Sequence, residues 1–420
     1  AAVASRSEVR HMRREHFKAR DNWRETVIAQ GLSFPVTKLP DGNEVDYWCD
    51  DAAYVFTLAQ IEKLESVTAE LWEMSLAAVD KVLTQGSIAA FGLPESSLEL
   101  LRWSWETKQP SVYGRFDVAW DGRGNPKLLE FNGDTPTGLI ESSICQWYWL
   151  QDQKPDNDQF NSLHERLVRR WKDLTPRLPI GGVHFAYVYD GAEGEDWVTT
   201  EYLRDTCVEA GLATHSMQLT DLGWDDGLAL FVDEEDRNVT AIFKLYPWED
   251  MLREQFAPNL WASRERTRWF EPAWKAILSN KALLAVLWEM YEGHPLLLPA
   301  YLDGPRALTE YVEKPLHGRE GDGVTLHTDS GDVRNARNAG GYGEEGFCYQ
   351  QFHQLPTFDG AHPVLGLWLV DGNPAGLGIR ESESMITDYY ARFVPHYIAD
   401  GTAPSPEQSA AWIDEDYPRT

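Results

Sequence analysis

Apolar side chains recur at three- and four-residue intervals through TLAQIEKLESVTAELWEMSLAAVDKVLTQG. Thr57 stands where a cap is needed and Gly86 follows the last turn, so the spacing predicts a long amphipathic helix. Residues 1–35 are rich in charge and read as a helix followed by a loop. LPDGNEVDYWCD reads as a turn into an aromatic segment, which makes the first hundred residues mainly helical. At Ser111 the period falls to two: SVYGRFDVAW and PKLLEFN flank the turn-rich DGRGNP, the pattern of a β-hairpin. ESSICQWYWL and FNSLHERLVRRWKDL return to helical spacing. Between residues 183 and 245, short apolar runs (VHFAYVYD, ALFV, TAIFKLY) alternate with the helix-like WVTTEYLRDTCVEAG, predicting a small α/β layer. EPAWKAILSNKALLAVLWEMY reads as one helix, and TEYVEKPLHGREGDGVTL as a strand entering a glycine-rich loop. GFCYQQFHQL, HPVLGLWLVDG and AGLGIRES are further apolar segments, and the acidic, Pro/Ser-rich tail after Ala403 reads as a poorly ordered end.

At 420 residues the chain is too long for one core, so two or three packed subdomains are expected. The formal charge of −29 argues against nucleic acid, which needs a Lys/Arg surface to displace counterions. An acidic field favours a cationic substrate, although for net charge alone solubility is the stronger explanation. The 18 Trp and 17 Tyr residues are assigned to large aromatic cores. Cys49, Cys145, Cys207 and Cys348 lie far apart with no ligand spacing, and read as reduced thiols. The first residues lack an apolar leader core, and no apolar run reaches the roughly 20 residues of a membrane span. The reading is a cytoplasmic protein with no membrane partner; its oligomeric state is left open.

The hairpin carries the chemistry. Centring its turn on Arg123-Gly124 sets Asp117 opposite Glu130 and Arg115 opposite Asn132, with all four side chains on one face. Phe116, Val118, Leu129 and Phe131 fall on the other. Facing carboxylates repel unless a cation lies between them, and Mg²⁺ suits carboxylate and amide oxygens. Arg115 offers a planar fork for a phosphoryl group. A polar strand face that simply meets water accounts for the hairpin alone equally well. Downstream, Lys314 enters a loop in which Gly318, Gly321 and Gly323 allow close approach to phosphate oxygens. It is not a Walker A loop, and alone it reads as a flexible surface loop. Lys281 and Lys244 read more simply as snorkelling lysines, and Gln350 and Arg380 are ambiguous. The scattered histidines form no metal motif.

Together, SWETKQPSVYGRFD, KLLEFNGDTPTGLIESSICQW, DQFNSLHERL, FKLYPWE, EPAWKAILSNKALLAVLW, YVEKPLHGREG and GLGIRES resemble the glutathionylspermidine synthetase family. The resemblance runs from about Tyr47 to His396. It implies an α+β ATP-grasp fold of permuted order, with a mainly helical N-terminal region (1–110) and a small α/β substrate domain of pre-ATP-grasp type (181–270). The hairpin part would span 111–180, the nucleotide part with its lid 271–402, and the acidic tail 403–420. It implies ATP and Mg²⁺ as cofactors, Asp117, Glu130 and Asn132 as metal ligands, and Arg115 as the catalytic group stabilising phosphoryl transfer. Lys281, Lys314, Gln350 and Arg380 would serve the nucleotide, with Gly318, Arg319, Gly321 and Gly323 in the lid. Thr135, Thr137 and Glu141 would face the acid substrate. The implied reaction is amide formation between a small peptide acid and a polyamine or amino compound through an acyl phosphate. The chain shows no amidase motif, and Thr-Pro-Thr replaces the Ser-rich segment of bifunctional members, so glutathione and spermidine are not carried over. An ATP-dependent phosphotransferase and a catalytically silent ATP-binding regulator are the competing readings.

Overall fold

A computed structural model describes residues 12–39, 41–188, 194–335 and 341–402. Its centre is a five-stranded antiparallel sheet in the spatial order Arg392–Phe393, Asn373–Ser382, His362–Val370, Tyr113–Ala119, Lys127–Asn132. His362–Val370 is buried at every position after its first, and Leu365, Leu367 and Leu369, which share one face, are wholly buried. Against one face lies the helix Leu58–Gln85, whose bounds follow its sequence signals. The Thr57 hydroxyl accepts the Gln60 N–H while the Gln60 side chain accepts the Thr57 N–H, and Gly86 turns out of the helix at φ 70°. Under that helix Phe116 stacks on Phe131 at 3.9 Å between ring centroids, with Trp72 edge-on to Phe131.

Two further sheets flank the centre. An antiparallel one runs Ala300–Tyr301, Phe347–Gln351, Tyr311–Pro315, Thr325–Thr328, Gly331–Arg334, and carries Lys314 and the glycine-rich loop. A parallel one runs Arg268–Phe270, Ala241–Leu245, Val183–Tyr187, Thr214–Gln218, with the helix Glu195–Glu209 packed on it. This is the small α/β layer expected from alternating runs, and the whole is a mixed α/β protein.

Two expectations need correction. Residues 13–16 form a strand rather than helix, pairing with Ala52–Phe56 in a four-stranded sheet, and among the described residues of this region helix is confined to Trp23–Ala29. Ala52–Phe56 is buried at every position, and an unbroken apolar run of five carries no period to reveal it. EPAWKAILSNKALLAVLWEMY is two pieces, a 3₁₀ turn at Ala273–Ala276 and a helix at Ala282–Met290. Asn280 makes the break: its side-chain oxygen accepts the Ala282 N–H and its amide donates to the Phe91 carbonyl. Residues 1–11 and the tail 403–420 lie outside the described residues.

Candidate active site

The hairpin pairs as expected where the chemistry lies: Arg115 opposite Asn132, Phe116 opposite Phe131, Asp117 opposite Glu130. A β-bulge then shifts the register, so Val118 faces Leu128 and not Leu129. Leu128 takes the core position assigned from sequence to Leu129, which instead turns to the cavity. The bulge leaves the Leu129 carbonyl free to accept Lys314 Nζ at 2.8 Å. Gln350 braces both partners, accepting Lys314 Nζ at 2.7 Å and donating to the Leu128 carbonyl at 2.9 Å. Gln350 thus ties Lys314 to the hairpin, and it lines the cavity as well.

The four hairpin residues line a cavity of about 510 Å³ between the central sheet and the flanking antiparallel sheet. Arg115 grips Asp117 with two N–H groups, Nε at 2.6 Å and Nη2 at 3.0 Å, and donates Nη1 to the Thr137 carbonyl. The Asn132 amide donates to both Asp117 and Glu130. Glu130 pairs with Lys281 at 3.0 Å, and Lys281 also donates to the Gly318 carbonyl of the loop. Burial raises the Asp117 carboxyl in spite of Arg115. Burial pushes Glu130 the same way, but Lys281 and Lys314 outweigh it and hold the carboxyl near about 2. Two carboxylates and an amide, all hard donors on one strand face, suit Mg²⁺ with positions left for phosphate and water. Among the described residues there is no cluster of three or more His, Cys, Asp or Glu placed for a metal, so the fit rests on that mixed set.

Lys314 and Arg380 also reach the cavity, and among the described residues neither has a carboxylate ion-paired to it. Arg380 donates to the Asp388 and Ala391 carbonyls, and its buried Nε has no partner among the described residues. From the glycine loop, Arg319 reaches across to donate to Thr135 Oγ1 at 2.9 Å, and its guanidinium lies 4.0 Å from Glu249. Gly318, Gly321 and Thr137 share the same wall. Two expected residues do not. Gly323 falls beside Pro315, and Glu141 is buried behind the cavity, accepting a hydrogen bond from Tyr47 at 2.7 Å. Lys244 does not snorkel: it is fully buried and paired with Asp134, which also accepts the Trp248 N–H.

Sequence reasoning missed the acidic wall. Glu195, Asp196 and Glu249 line the cavity from the small α/β side. Glu195 and Asp196 open a helix, where acids are routine, so nothing in their spacing marks them. Burial raises the Glu249 carboxyl against the opposing pull of Arg319.

The chain is similar to several known proteins. The model of the glutathionylspermidine synthase preATP-grasp family matches residues 14–399. A candidate acid–amine ligase of Haemophilus influenzae is 37% identical over 376 residues, covering 87% of this chain and 95% of that one. The bifunctional glutathionylspermidine synthetase/amidase of Escherichia coli is 28% identical over 362 residues, 79% of this chain but 57% of its own length. Among solved structures, a glutathione synthetase-like effector from Globodera pallida shares the fold at TM-score 0.51 and 11% identity, covering 89% of this chain and 97% of that one. The class is therefore the ATP-dependent acid–amine ligases. Within it, the chain belongs to the glutathionylspermidine synthase family. No helix among the described residues is long and apolar enough to cross a membrane.

Proposed function

We propose that the chain joins a small peptide acid to a polyamine or related amino compound, using ATP and Mg²⁺ and passing through an acyl phosphate. The observation that carries this reading is a charge division inside one cavity. On the sheet side Arg115, Lys281, Lys314 and Arg380 outnumber the carboxylates Asp117 and Glu130, and among the described residues Lys314 and Arg380 have no carboxylate ion-paired to them; on the small α/β side Glu195, Asp196 and Glu249 outnumber Arg319. The basic side suits phosphates and a carboxylate; the acidic side suits an amine that arrives as a cation.

In this reading Asp117, Glu130 and Asn132 hold Mg²⁺, which supplies charge neutralisation for the phosphates. Arg115, already fixed by Asp117 and Thr137, meets negative charge growing on the transferring phosphoryl group. Thr135 and Thr137 orient the acid, and Arg319 closes the loop over it while excluding water from the activated carboxyl. The bound ammonium gives up a proton to become the free amine, its nitrogen bonds to the acyl carbon as the bond to phosphate breaks and phosphate leaves, and the nitrogen loses a second proton to give the amide. Residues 111–180 and 271–402 form the two parts of the nucleotide grasp and 181–270 the substrate unit.

An ADP-release screen tests this, pairing small peptides and amino acids with polyamines, with and without EDTA. ADP release that needs both acid and amine, and stops with EDTA, is the expected result. Phosphorylated acid without amine would establish the phosphotransferase instead, and intact nucleotide binding with no turnover across the panel the silent regulator.

A further inference from the structure

Two glycines in the central sheet stand directly opposite one another, Gly366 on His362–Val370 and Gly378 on Asn373–Ser382. Gly366 also faces Asp117 across the next strand pair. Neither has a positive φ, so neither strand needs glycine for its backbone path. In a regular strand, glycine costs about 0.5–1 kcal/mol relative to alanine, so its presence there asks for another reason.

The reason lies on the cavity face. A Cβ on Gly366 would stand 2.7 Å from Arg115 Cδ, the severest contact, and 3.2 Å from both Arg115 Nε and the Gly378 carbonyl oxygen. A Cβ on Gly378 would run into Ser142 Oγ and stand 3.2 Å from Trp368 Nε1. Those two groups are joined by a hydrogen bond of 2.9 Å, and the Arg115 guanidinium lies 5.3 Å from the Trp368 ring centroid. The bare backbone at 366 thus lets the Arg115 chain lie flat along the sheet toward Asp117. The bare backbone at 378 seats the Ser142–Trp368 pair that walls the other side.

We propose that Gly366 and Gly378 are positioning residues for Arg115, forming a side-chain-free trough that fixes the guanidinium against Asp117 and Trp368. This rests on the functional role proposed above for Arg115. A methyl group at 366 would lift the Arg115 chain toward the cavity and misplace its fork, and displacements of about 1 Å at a reacting centre cost up to roughly 100-fold in rate.

The experiment is a double-mutant cycle on the full chain, read by ADP release, ADP affinity and melting temperature. Gly366→Ala is expected to lower kcat at least ~10-fold with ADP affinity and melting temperature held or raised. In the Arg115→Ala background the same substitution is expected to change the residual turnover by less than ~2-fold, because the group it displaces is gone. If Gly366→Ala lowers the melting temperature, the loss should vanish in the Arg115→Ala background. Unimpaired turnover in Gly366→Ala, an equal loss in both backgrounds, or a melting deficit that persists without Arg115 each overturns the proposal. Wild-type turnover in Arg115→Ala would sink the role of Arg115 and the trough with it. A crippled Arg115→Ala beside an unimpaired Gly366→Ala sinks the trough alone.

Discussion

Glu141 is an ionisable group walled off from water, and replacing it should change how stability depends on pH. It sits behind the cavity at 1% exposure. Burial and the charge of Glu195 raise its carboxyl from 4.5 to about 7, opposed by the Tyr47 hydrogen bond and by Arg380. The folded protein therefore holds a proton there that the unfolded chain has released, and stability falls as pH rises from the unfolded value through the folded one. With those two values the penalty is about 1.4 kcal/mol at pH 5.5 and about 3 kcal/mol at pH 8, a swing of about 2 kcal/mol. Glu141→Gln keeps an acceptor for Tyr47 and cannot ionise. Urea unfolding followed by tryptophan fluorescence should show the variant gaining on the native chain as pH rises across that range. Parallel curves for the two proteins would refute the assignment of a buried, proton-holding carboxyl.

Three other outcomes are expected. Glu130→Gln removes one hard, negative ligand facing Asp117, so the Mg²⁺ concentration for half-maximal ADP release should rise about tenfold or more; an unchanged titration removes Glu130 from the metal site. Asp134→Ala strands the fully buried Lys244 ammonium and the Trp248 N–H, and should cost about 3–5 kcal/mol in urea unfolding, whereas a loss below about 1 kcal/mol would mean water reaches Lys244. Burial depresses the imidazole of His396 from 6.5 to about 3, where Nε2 accepts the Phe160 N–H and Nδ1 meets the Gln146 side-chain oxygen. Its neutral form is the one folding favours, so that stability is present above pH 6.5 and drains away as pH falls toward 3; His396→Gln should flatten the acid limb of the unfolding profile.

The hairpin was legible because period-two alternation and a turn-rich hexamer define a register, and register alone puts Arg115, Asp117, Glu130 and Asn132 on one face. The bulge was not, since a one-residue slip at Leu128–Leu129 swaps one leucine for another and leaves no trace in polarity. The long helix was readable from its caps, whereas Ala52–Phe56 hid as an apolar run without period. Lys244 misled for a physical reason: a lysine amid apolar residues normally reaches for water, and its partner Asp134 lies 110 positions away. The acidic wall escaped because Glu195 and Asp196 stand where any helix welcomes acids. What sequence cannot supply is which distant groups share a space.

Behind the cavity two lysines are wholly buried, each against a buried carboxylate: Lys244 with Asp134 and Lys275 with Glu271. Removing such charges from water costs about as much as their attraction returns, so net stability does not account for them. Their geometry does. Glu271 accepts the N–H groups of both Val112 and Tyr113, and Lys275 donates to the Tyr113 carbonyl, which fixes the start of the strand carrying Arg115 and Asp117. Asp134, held by Lys244 and Trp248, fixes the loop carrying Thr135 and Thr137. Trp248 joins the two pairs, donating its indole N–H to the Glu271 carbonyl and its backbone N–H to Asp134. Arg115 closes the circuit by donating to the Thr137 carbonyl, so strand and loop are tied at both ends. A reaction that must align a phosphoryl group with a carboxylate gains from such a frame, since an apolar core of equal volume would grip the same segments without specifying their hydrogen-bond register.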